Sequence, residues 1–368
     1  MKKATFFITG GAGFIGSNFV HILSEEYPEA RIIVFDKLTY AGNLMSISDL
    51  LENGKIEFIK GDIASKEDVD KALADCKPDY IVNFAAESHV DRSVNDPSPF
   101  INTNISGTFR LLEAARKLKN LRKFIQISTD EVYGDLEIQA PVGLPENISQ
   151  LLGRPGRMYG ADSFCESTPI KPSSPYSASK ASSDMLAMSY FRSFGLPVIV
   201  TRCSNNYGPR QFPEKLIPLA INNLLEGRAV PVYGKGLNVR DWIHVDDHCH
   251  GIIAAIEKGR EGEVYNFGGY SECQNIDLVK MIVEHVDDRL GIAGTTNHIC
   301  FVGDRPGHDQ RYAIDASKAM KELGWRPKHT LREGLGATID WYLDNQEWVK
   351  NVLSGEYRRY YDMMYSNR

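Results

Sequence analysis

The sequence is short of cysteines and has no long hydrophobic run, and each shortage excludes a class of protein. The six cysteines are scattered over 368 residues without a Cys-x-x-Cys pair, which fits reduced thiols in the cytoplasm. No apolar run approaches the length of a membrane span, and Met1-Lys2-Lys3 leads directly into an apolar segment with no signal-peptide cleavage pattern. We therefore expect a cytoplasmic protein with no membrane partner.

The sequence also lacks an excess of basic residues. Its 42 lysines and arginines are outnumbered by 48 aspartates and glutamates, the net charge is −6, and there is no basic tract. This balance argues against a nucleic-acid partner. The composition, 42% hydrophobic and 24% charged, is ordinary for a soluble enzyme, and the length predicts two domains.

What the chain does have, near its start, is a glycine-rich turn, Gly10-Gly11-Ala12-Gly13-Phe14-Ile15-Gly16. The apolar run 4–9 before it is typical of a buried strand, and the apolar spacing after it is typical of a helix. Backbone N–H groups and the helix dipole at such a turn favour a pyrophosphate, and glycines let the ligand approach closely. The turn therefore predicts a dinucleotide site.

A second apolar run, 32–35, ends in Asp36, which stands twenty residues after Gly16. A dinucleotide-binding fold places there the acid that binds a ribose hydroxyl. Asp36 would repel a 2′-phosphate, so NAD is favoured over NADP, although the neighbouring Lys37 leaves NADP open. The alternative is an ordinary turn between strand and helix, with a surface aspartate.

The first half of the chain alternates strand and helix. Strands are predicted at residues 4–9, 32–35, 56–59, 80–84, 124–128 and 198–200, and helices at 65–75, 97–118 and 176–194. This rhythm predicts an α/β fold with a doubly wound parallel sheet, Rossmann-like, whose ligands bind beyond the C-terminal ends of the strands.

The domain organisation follows from where this rhythm weakens. We expect an NAD-binding domain over 1–202, with 241–268 returning to it, since 264–267 reads as a strand that rejoins the main sheet. A smaller substrate domain would occupy most of 203–368. Residues 135–172 read as one long irregular loop, which we expect over the ligand face.

Tyr176 and Lys180 form the first candidate catalytic pair. Four residues apart on a predicted helix, they share one face. A phenol has a reference pKa near 10 and serves as a base only if cations stabilise its phenolate, which Lys180 and a nicotinamide ring would do. The alternative is a packed tyrosine beside a solvated lysine.

Asp130 and Glu131 form the second candidate pair, at the end of the fifth strand, after Thr129. Two carboxyl groups that point to different sides can differ in pKa, so that one serves as a neutral acid and the other as an ionised base. A bare Asp-Glu pair is more often a solvated turn, but the position on the ligand face favours catalysis.

The segment 244–250 (HVDDHCH) offers metal-ligand types, yet we expect no metal. His244 and His248 would straddle a strand-to-helix junction, with Asp246 or Asp247 capping the helix. The residue types alone do not make a closed coordination set.

The chain resembles the extended short-chain dehydrogenase/reductases, and within them the nucleotide-sugar dehydratases. The resemblance rests on Gly10–Gly16, Thr129-Asp130-Glu131, Tyr176-x-x-x-Lys180 and the segments 36–43 (DKLTYAGN), 84–93 (FAAESHVDRS), 205–209 (NNYGP), 212–218 (FPEKLIP), 240–242 (RDW) and 304–309 (DRPGHD). It covers nearly the whole chain and departs mainly in 136–170, where the loop is longer than the family pattern.

The resemblance implies a redox-neutral 4,6-dehydration of a nucleoside-diphosphate glucose, dTDP-glucose above all, to the 4-keto-6-deoxy sugar. Tyr176 would take the 4-hydroxyl proton while NAD accepts hydride, with Thr129 hydrogen-bonded to the same oxygen. Glu131 would remove the carbon 5 proton, and Asp130 would protonate the departing 6-hydroxyl. A 4-epimerase, a dehydratase of another nucleotide hexose and a non-catalytic NAD sensor remain alternatives. An epimerase has no use for the two carboxyl groups, and a sensor would have a disrupted tyrosine–lysine pair.

The resemblance also implies binding roles by position. The expected NAD-binding residues are Gly10, Gly13, Phe14, Ile15, Gly16, Asp36, Lys37, Leu38, Thr39, Asp62, Ile63, Phe84, Ala85, Ala86, Ser88, Thr103, Tyr176, Lys180 and Asn206. The expected sugar-nucleotide-binding residues are Ser88, Thr129, Asn205, Lys215, Leu216, Pro231, Val232, Tyr233, Arg240, Asn275, Arg305 and His308. Related enzymes pair the helices near 97–118 and 176–194, so we expect a homodimer.

Overall fold

A seven-stranded parallel sheet forms the centre of the protein. The computed structural model describes residues 1, 3–291, 298–304 and 307–353. Its strands are β1 (Thr5–Thr9), β2 (Arg31–Asp36), β3 (Glu57–Lys60), β4 (Tyr80–Asn83), β5 (Lys123–Thr129), β6 (Val142–Gly143), β7 (Arg157–Met158), β8 (Val198–Cys203), β9 (Asn205–Tyr207), β10 (Val230–Tyr233), β11 (Val239–His244), β12 (Val264–Phe267), β13 (Glu272–Gln274) and β14 (Ile299–Val302). The sheet order is β12-β8-β5-β4-β1-β2-β3. The predicted doubly wound parallel sheet is confirmed.

Helices cover this sheet and build the second half of the molecule. They are α1 (Phe14–Glu26), α2 (Ser48–Glu52), α3 (Lys66–Cys76), α4 (Val90–Asn95), α5 (Ser98–Phe100), α6 (Thr108–Ala115), α7 (Glu146–Leu152), α8 (Pro175–Phe194), α9 (Leu216–Leu225), α10 (Val245–Lys258), α11 (Asn275–Leu290), α12 (Ser317–Leu323), α13 (Leu331–Asp344) and α14 (Gln346–Val352). None of the helices in the described ranges is long and apolar enough to cross a lipid bilayer.

The central strands are apolar because both of their faces are buried. Every residue of β4 and β8 is buried, and separate apolar clusters fill the two sides of the sheet. Strand order reverses at β1, which pairs with β2 on one side and with β4 on the other. The crevice for a ligand therefore opens at the C-terminal ends of β1 and β4.

The helix expected over 97–118 is interrupted by a π-helical turn, Ile101–Gly107, between α5 and α6. Inside this turn the Asn104 amide nitrogen donates to the Glu87 carbonyl (3.0 Å) and to Ser179 Oγ (2.8 Å). Ser183 Oγ donates to the Asn104 carbonyl at 2.6 Å. These bonds give a physical reason for the wider turn. The Asn104 carbonyl, which would accept only a backbone N–H in a regular helix, accepts from Ser183, and the Asn104 side chain is fixed toward Glu87 and Ser179.

The second half of the chain has its own apolar core and two small sheets. Strands β13, β11 and β9 form one sheet, and β10 pairs with β14. Helices α9, α11, α13 and α14 supply the core, which includes Tyr342 and Trp348. Of the segment 241–268, β12 joins the main sheet beside β8 and α10 lies against α1, whereas 241–244 stays in β11. The domain division itself stays a prediction.

The expectation for residues 135–172 is wrong in two respects. The segment contains α7 and a short antiparallel pair, β6 with β7. It lies against the C-terminal half: Ile148 and Leu152 join a core cluster with Trp325, and the Asn266 N–H donates to Glu166 Oε1. None of its residues lines either of the two cavities described below. Short elements with weak periodicity leave little trace in a sequence.

Candidate active site

A cavity of about 300 Å³ opens at the C-terminal edge of the sheet. It brings together most of the residues predicted for NAD and for catalysis: Gly10, Gly13, Phe14, Ile15, Gly16, Asp36, Lys37, Thr39, Asp62, Ile63, Phe84, Ala85, Ala86, Ser88, Thr103, Thr129, Asp130, Glu131, Tyr176, Lys180 and Asn206. Asn205 and Lys215, predicted for the sugar nucleotide, line it as well. Leu38 does not line it. The Leu38 backbone N–H donates instead to Asp36 Oδ1 at 2.8 Å.

The glycine turn packs so closely against neighbouring backbone that side chains do not fit there. Gly10 has φ +68°, and a Cβ atom on it would lie 2.6 Å from the Ala85 nitrogen. A Cβ on Gly16 would lie 2.3 Å from the Gly10 carbonyl oxygen. Gly13 precedes the first turn of α1 with extended backbone, so the N-terminus of this helix faces the cavity. This cradle fits the pyrophosphate of a dinucleotide.

The acid at the end of β2 has the position that a ribose requires. Asp36 is 8% exposed, and its carboxylate accepts N–H groups from Ala12 (3.0 Å) and Leu38 (2.8 Å). Burial raises the pKa of Asp36, and these bonds oppose the rise. Lys37 extends to Asp62, with 2.7 Å between Nζ and Oδ2. Lys37, the cation that kept NADP as an alternative cofactor, is thus paired with Asp62, which lines the same cavity.

Tyr176 and Lys180 lie on the first turns of α8, whose start is fixed by a capping box between Ser174 and Ser177. Both side chains are buried, and Lys180 Nζ donates to the Ile127 carbonyl at 2.6 Å. Burial, together with the charge of Glu131, raises the pKa of Tyr176 well above its usual range. Burial lowers the pKa of Lys180. A phenol in this setting needs added positive charge before it can act as a base.

The two carboxyl groups have different surroundings. They belong to a 3₁₀ turn, Asp130–Tyr133, and the Glu131 N–H donates to Thr129 Oγ1 at 3.3 Å. Asp130 is 2% exposed, and its Oδ2 has no hydrogen-bond partner among the described residues. Burial, followed by the charges of Glu131 and Asp241, raises the pKa of Asp130 well above its usual range. Glu131 is only half-buried. The two carboxyl groups therefore differ in environment, as the predicted pair of acid and base requires.

A second cavity of about 180 Å³ lies beside the first. It contains most of the residues predicted for the sugar nucleotide: Asn205, Lys215, Leu216, Pro231, Val232, Tyr233, Arg240, Asn275 and His308. Arg305 lies outside the described residues. The two cavities share a wall, because both are lined by Glu131, Asn205, Asn206, Gln211, Glu214 and Lys215.

The wall of the second cavity carries positive charge and aromatic rings. Arg240 lies over the Tyr312 ring at 4.2 Å and donates to the Asp309 carbonyl at 2.9 Å. Tyr233 donates to Asp91 Oδ2 at 3.0 Å. Guanidinium and ammonium groups of this kind suit a diphosphate.

Sequence reasoning missed several lining residues, among them Glu87, His89, Cys203, Gln211, Glu214 and Tyr312. Glu214 is the most informative, because its buried carboxylate accepts from Tyr40 (3.2 Å) and pairs with Arg92 (3.2 Å). The sequence did indicate Glu214, because it lies in the motif 212–218 next to Lys215, which was predicted to bind substrate.

The cluster around His244 differs from the expectation in its cap. His244 itself caps α10 by accepting the Asp246 N–H at 3.3 Å, whereas Asp246 and Asp247 lie in the first turn. His248 is buried and hydrogen-bonds Asn206 Oδ1 at 2.9 Å. Ligand atoms of His244, Asp246 and His329 lie within 4.8 Å of one another. The imidazole rings of His244 and His329 are stacked, with centroids 4.1 Å apart, which gives the cluster a packing role.

Fold and site together define an NAD-dependent sugar-nucleotide class of enzyme. The chain matches the NAD dependent epimerase/dehydratase family over residues 6–268, more than half of its length, and belongs to that family.

The relatives with the higher identities share one activity within this family. It is 47% identical to a dTDP-glucose 4,6-dehydratase of Salmonella typhimurium over 98% of this chain and 99% of the relative. A solved dTDP-glucose 4,6-dehydratase of Bacillus anthracis, in complex with NAD, is 45% identical with a TM-score of 0.81, and the match covers 95% of this chain and 99% of that one. A UDP-glucose 4-epimerase of Thermotoga maritima is 29% identical with a TM-score of 0.79, over 93% and 99%. The expected resemblance to nucleotide-sugar dehydratases is confirmed.

Proposed function

We propose that the protein is an NAD-dependent hydro-lyase that converts dTDP-glucose to dTDP-4-keto-6-deoxyglucose and water. The observation that carries this proposal is the position of Glu131, which lines both the cofactor cavity and the substrate cavity beside the buried Asp130. A base at that boundary reaches a sugar that extends from one cavity toward the other. The names of the relatives support the same reaction.

The glycine turn and Asp36 would hold NAD, which would supply the acceptor and donor for the hydride that the sugar loses at carbon 4 and regains at carbon 6. Tyr176 takes the proton of the 4-hydroxyl, and the charge of Lys180 stabilises the phenolate on which this depends. Thr129, which opposes the rise in the pKa of Tyr176, orients the same hydroxyl.

The two carboxyl groups carry out the water loss. A ketone at carbon 4 acidifies the proton on carbon 5, which Glu131 then removes, and carbon 5 is reprotonated when carbon 6 regains its hydride. Asp130 stays protonated because it is buried beside other acids, and it donates its proton to the 6-hydroxyl as that group leaves. The acid and the base are adjacent in sequence but differ in exposure, which is how one turn holds both protonation states.

The runner-up is a sugar-nucleotide 4-epimerase, in view of the likeness to the Thermotoga maritima enzyme. That reaction has no use for a neutral acid beside a second carboxylate, so the Asp130–Glu131 pair argues against it. The test is to incubate the purified protein with dTDP-, UDP-, CDP- and GDP-glucose and to follow the 4-keto product. Fastest formation with dTDP-glucose supports the proposal, whereas an epimerised hexose without water loss contradicts it.

We also propose a cytoplasmic homodimer paired through α6, α8 and the π turn. Ile101, Phe109, Met185 and Phe194 are each at least 45% exposed on these neighbouring elements, which leaves an apolar face for a second copy. Sedimentation at micromolar concentration is expected to give a dimer, and Met185→Glu should shift it to monomer. A stable wild-type monomer would contradict this arrangement.

A further inference from the structure

A buried aspartate lies one helical turn beyond Lys180, and the reaction proposed above gives it no task. Tyr176, Lys180 and Asp184 are spaced by four residues along α8, so their side chains follow one face of the helix. Asp184 is 1% exposed. Carboxylates are almost never fully buried unless they are paired, so its partners indicate its role.

The partners of Asp184 come from the strands that carry the site. Its Oδ2 accepts from Ser128 Oγ at 2.9 Å and from Arg202 Nε at 3.0 Å. Its Oδ1 has no hydrogen-bond partner within the part of the chain that the structure describes. Ser128 and Arg202 face each other in the register of β5 and β8. Arg202 also donates to the Tyr133 hydroxyl at 2.9 Å, at the end of the turn that bears Asp130 and Glu131.

Stability alone does not account for this arrangement. Removing two charges from water costs more than a buried ion pair usually returns, and an apolar pair of similar volume is often as stable. Lys180 Nζ has a hydrogen bond to a neutral carbonyl, that of Ile127, which gives its charge no counter-ion. Burial lowers the pKa of Lys180, and the charge of Asp184 opposes that change.

We propose that Asp184 is a positioning residue that keeps Lys180 in its charged form, with Ser128 and Arg202 holding the carboxylate in place. The proposal rests on the role given above to Lys180. The charges that act on the Lys180 ammonium come from Asp184 on its own helix and from Cys203 on β8. Tyr176 on the same helix and Asp130 and Glu131 on the 3₁₀ turn line the same cavity as Lys180. Burial raises the pKa of the Cys203 thiol, which favours its neutral form and leaves Asp184 as the anionic one of the two.

The test is Asp184→Asn, which keeps size and shape but removes the charge. With lysine labelled at ¹³Cε, the Lys180 resonance is assigned by its loss in Lys180→Met and titrated by NMR in the full-length protein. We expect its midpoint to fall by about one pH unit or more. The alkaline limb of kcat/KM should fall by a similar amount, and the acid limb should stay in place. An unchanged Lys180 midpoint would overturn the proposal.

Asp184→Glu is the matched variant, because it keeps the charge and changes only the length of the side chain. The Lys180 midpoint should stay near its wild-type value in Asp184→Glu and fall in Asp184→Asn. A merely structural role predicts that the longer side chain, at a position that is 1% exposed, disturbs Lys180 at least as much as asparagine does. If Asp184→Asn does not fold, Ser128→Ala decides, because it removes a hydrogen bond to the carboxylate and no charge: the Lys180 midpoint should fall, and an unchanged midpoint refutes the proposal. The NMR titration needs no turnover, so failure of the dehydratase assay leaves this inference to be judged separately.

Discussion

Replacing Glu131 by glutamine separates the two halves of the proposed reaction. The Glu131 N–H is bonded to Thr129 Oγ1, and the next two residues, Val132 and Tyr133, are buried, so the turn should keep its shape. Glutamine has the same size but cannot accept the carbon 5 proton. Oxidation at carbon 4 depends on Tyr176 and Lys180 and should proceed.

The expected loss is large because no neighbouring group can substitute for Glu131. Burial raises the pKa of Asp130 well above its usual range, which disfavours the anionic form that a base needs. Loss of a positioned base typically costs 10² to 10⁴-fold. With no replacement we expect the upper half of that range, which corresponds to about 4 to 5 kcal/mol of barrier.

Two absorbance signals are followed after Glu131→Gln is mixed with dTDP-glucose: reduced nicotinamide and the 4-keto-6-deoxy product. We expect the first to build up on the protein while the second almost disappears. Asp130→Asn should also slow water loss, because an amide cannot protonate the leaving hydroxyl. Tyr176→Phe should give neither signal. Near wild-type turnover of Glu131→Gln would refute the assignment of the carboxyl pair and move the epimerase forward.

Three more outcomes are expected. Gly16→Ala places a Cβ 2.3 Å from the Gly10 carbonyl oxygen and should weaken NAD binding more than about tenfold in a fluorescence titration, whereas Gly143→Ala, which meets nothing within 4 Å, should not. NAD should copurify with the protein without net NADH release during turnover; stoichiometric free NADH would contradict the closed hydride cycle. Because the pKa of Asp130 is raised on folding, its contribution to stability is present at low pH and is lost as pH rises above the usual aspartate range. Asp130→Asn should therefore lose less stability than the wild type as pH rises from about 4, the reference pKa of aspartate, in urea denaturation, and parallel curves would argue against a buried neutral acid.

The main sheet was predictable because parallel strands that are buried on both faces read as continuous apolar runs. The run 264–267 even indicated that a distant strand, β12, returns to this sheet. The alternation of strands and helices predicted that Asp36 and Tyr176 lie at the same edge of the sheet as the glycine turn, and all three line one cavity. Positions fixed by backbone geometry are the ones that a sequence reports best.

The remainder depended on contacts that no local pattern encodes. Strands β9 and β13 have three residues each, too few to show a period. Cys203 reaches the cavity only because β8 ends beside Thr129 in the register of β5. The segment 135–172 was misplaced because its anchors, such as Asn266 for Glu166, lie about a hundred residues away. Tertiary pairing, rather than local preference, decides such positions.

The late return of β12 has a consequence for the synthesis of the protein. Strand β8 is complete at Cys203, but its outer edge stays unpaired until Val264–Phe267 has been added. Chains fold largely from the N-terminus as they leave the ribosome, and an open strand edge that begins with Val-Ile-Val recruits other chains. A nascent chain that stalls between these points therefore carries an aggregation-prone edge, and fragments that end before residue 264 should accumulate as insoluble material. The last strand of the sheet thus sets the shortest chain that stays soluble.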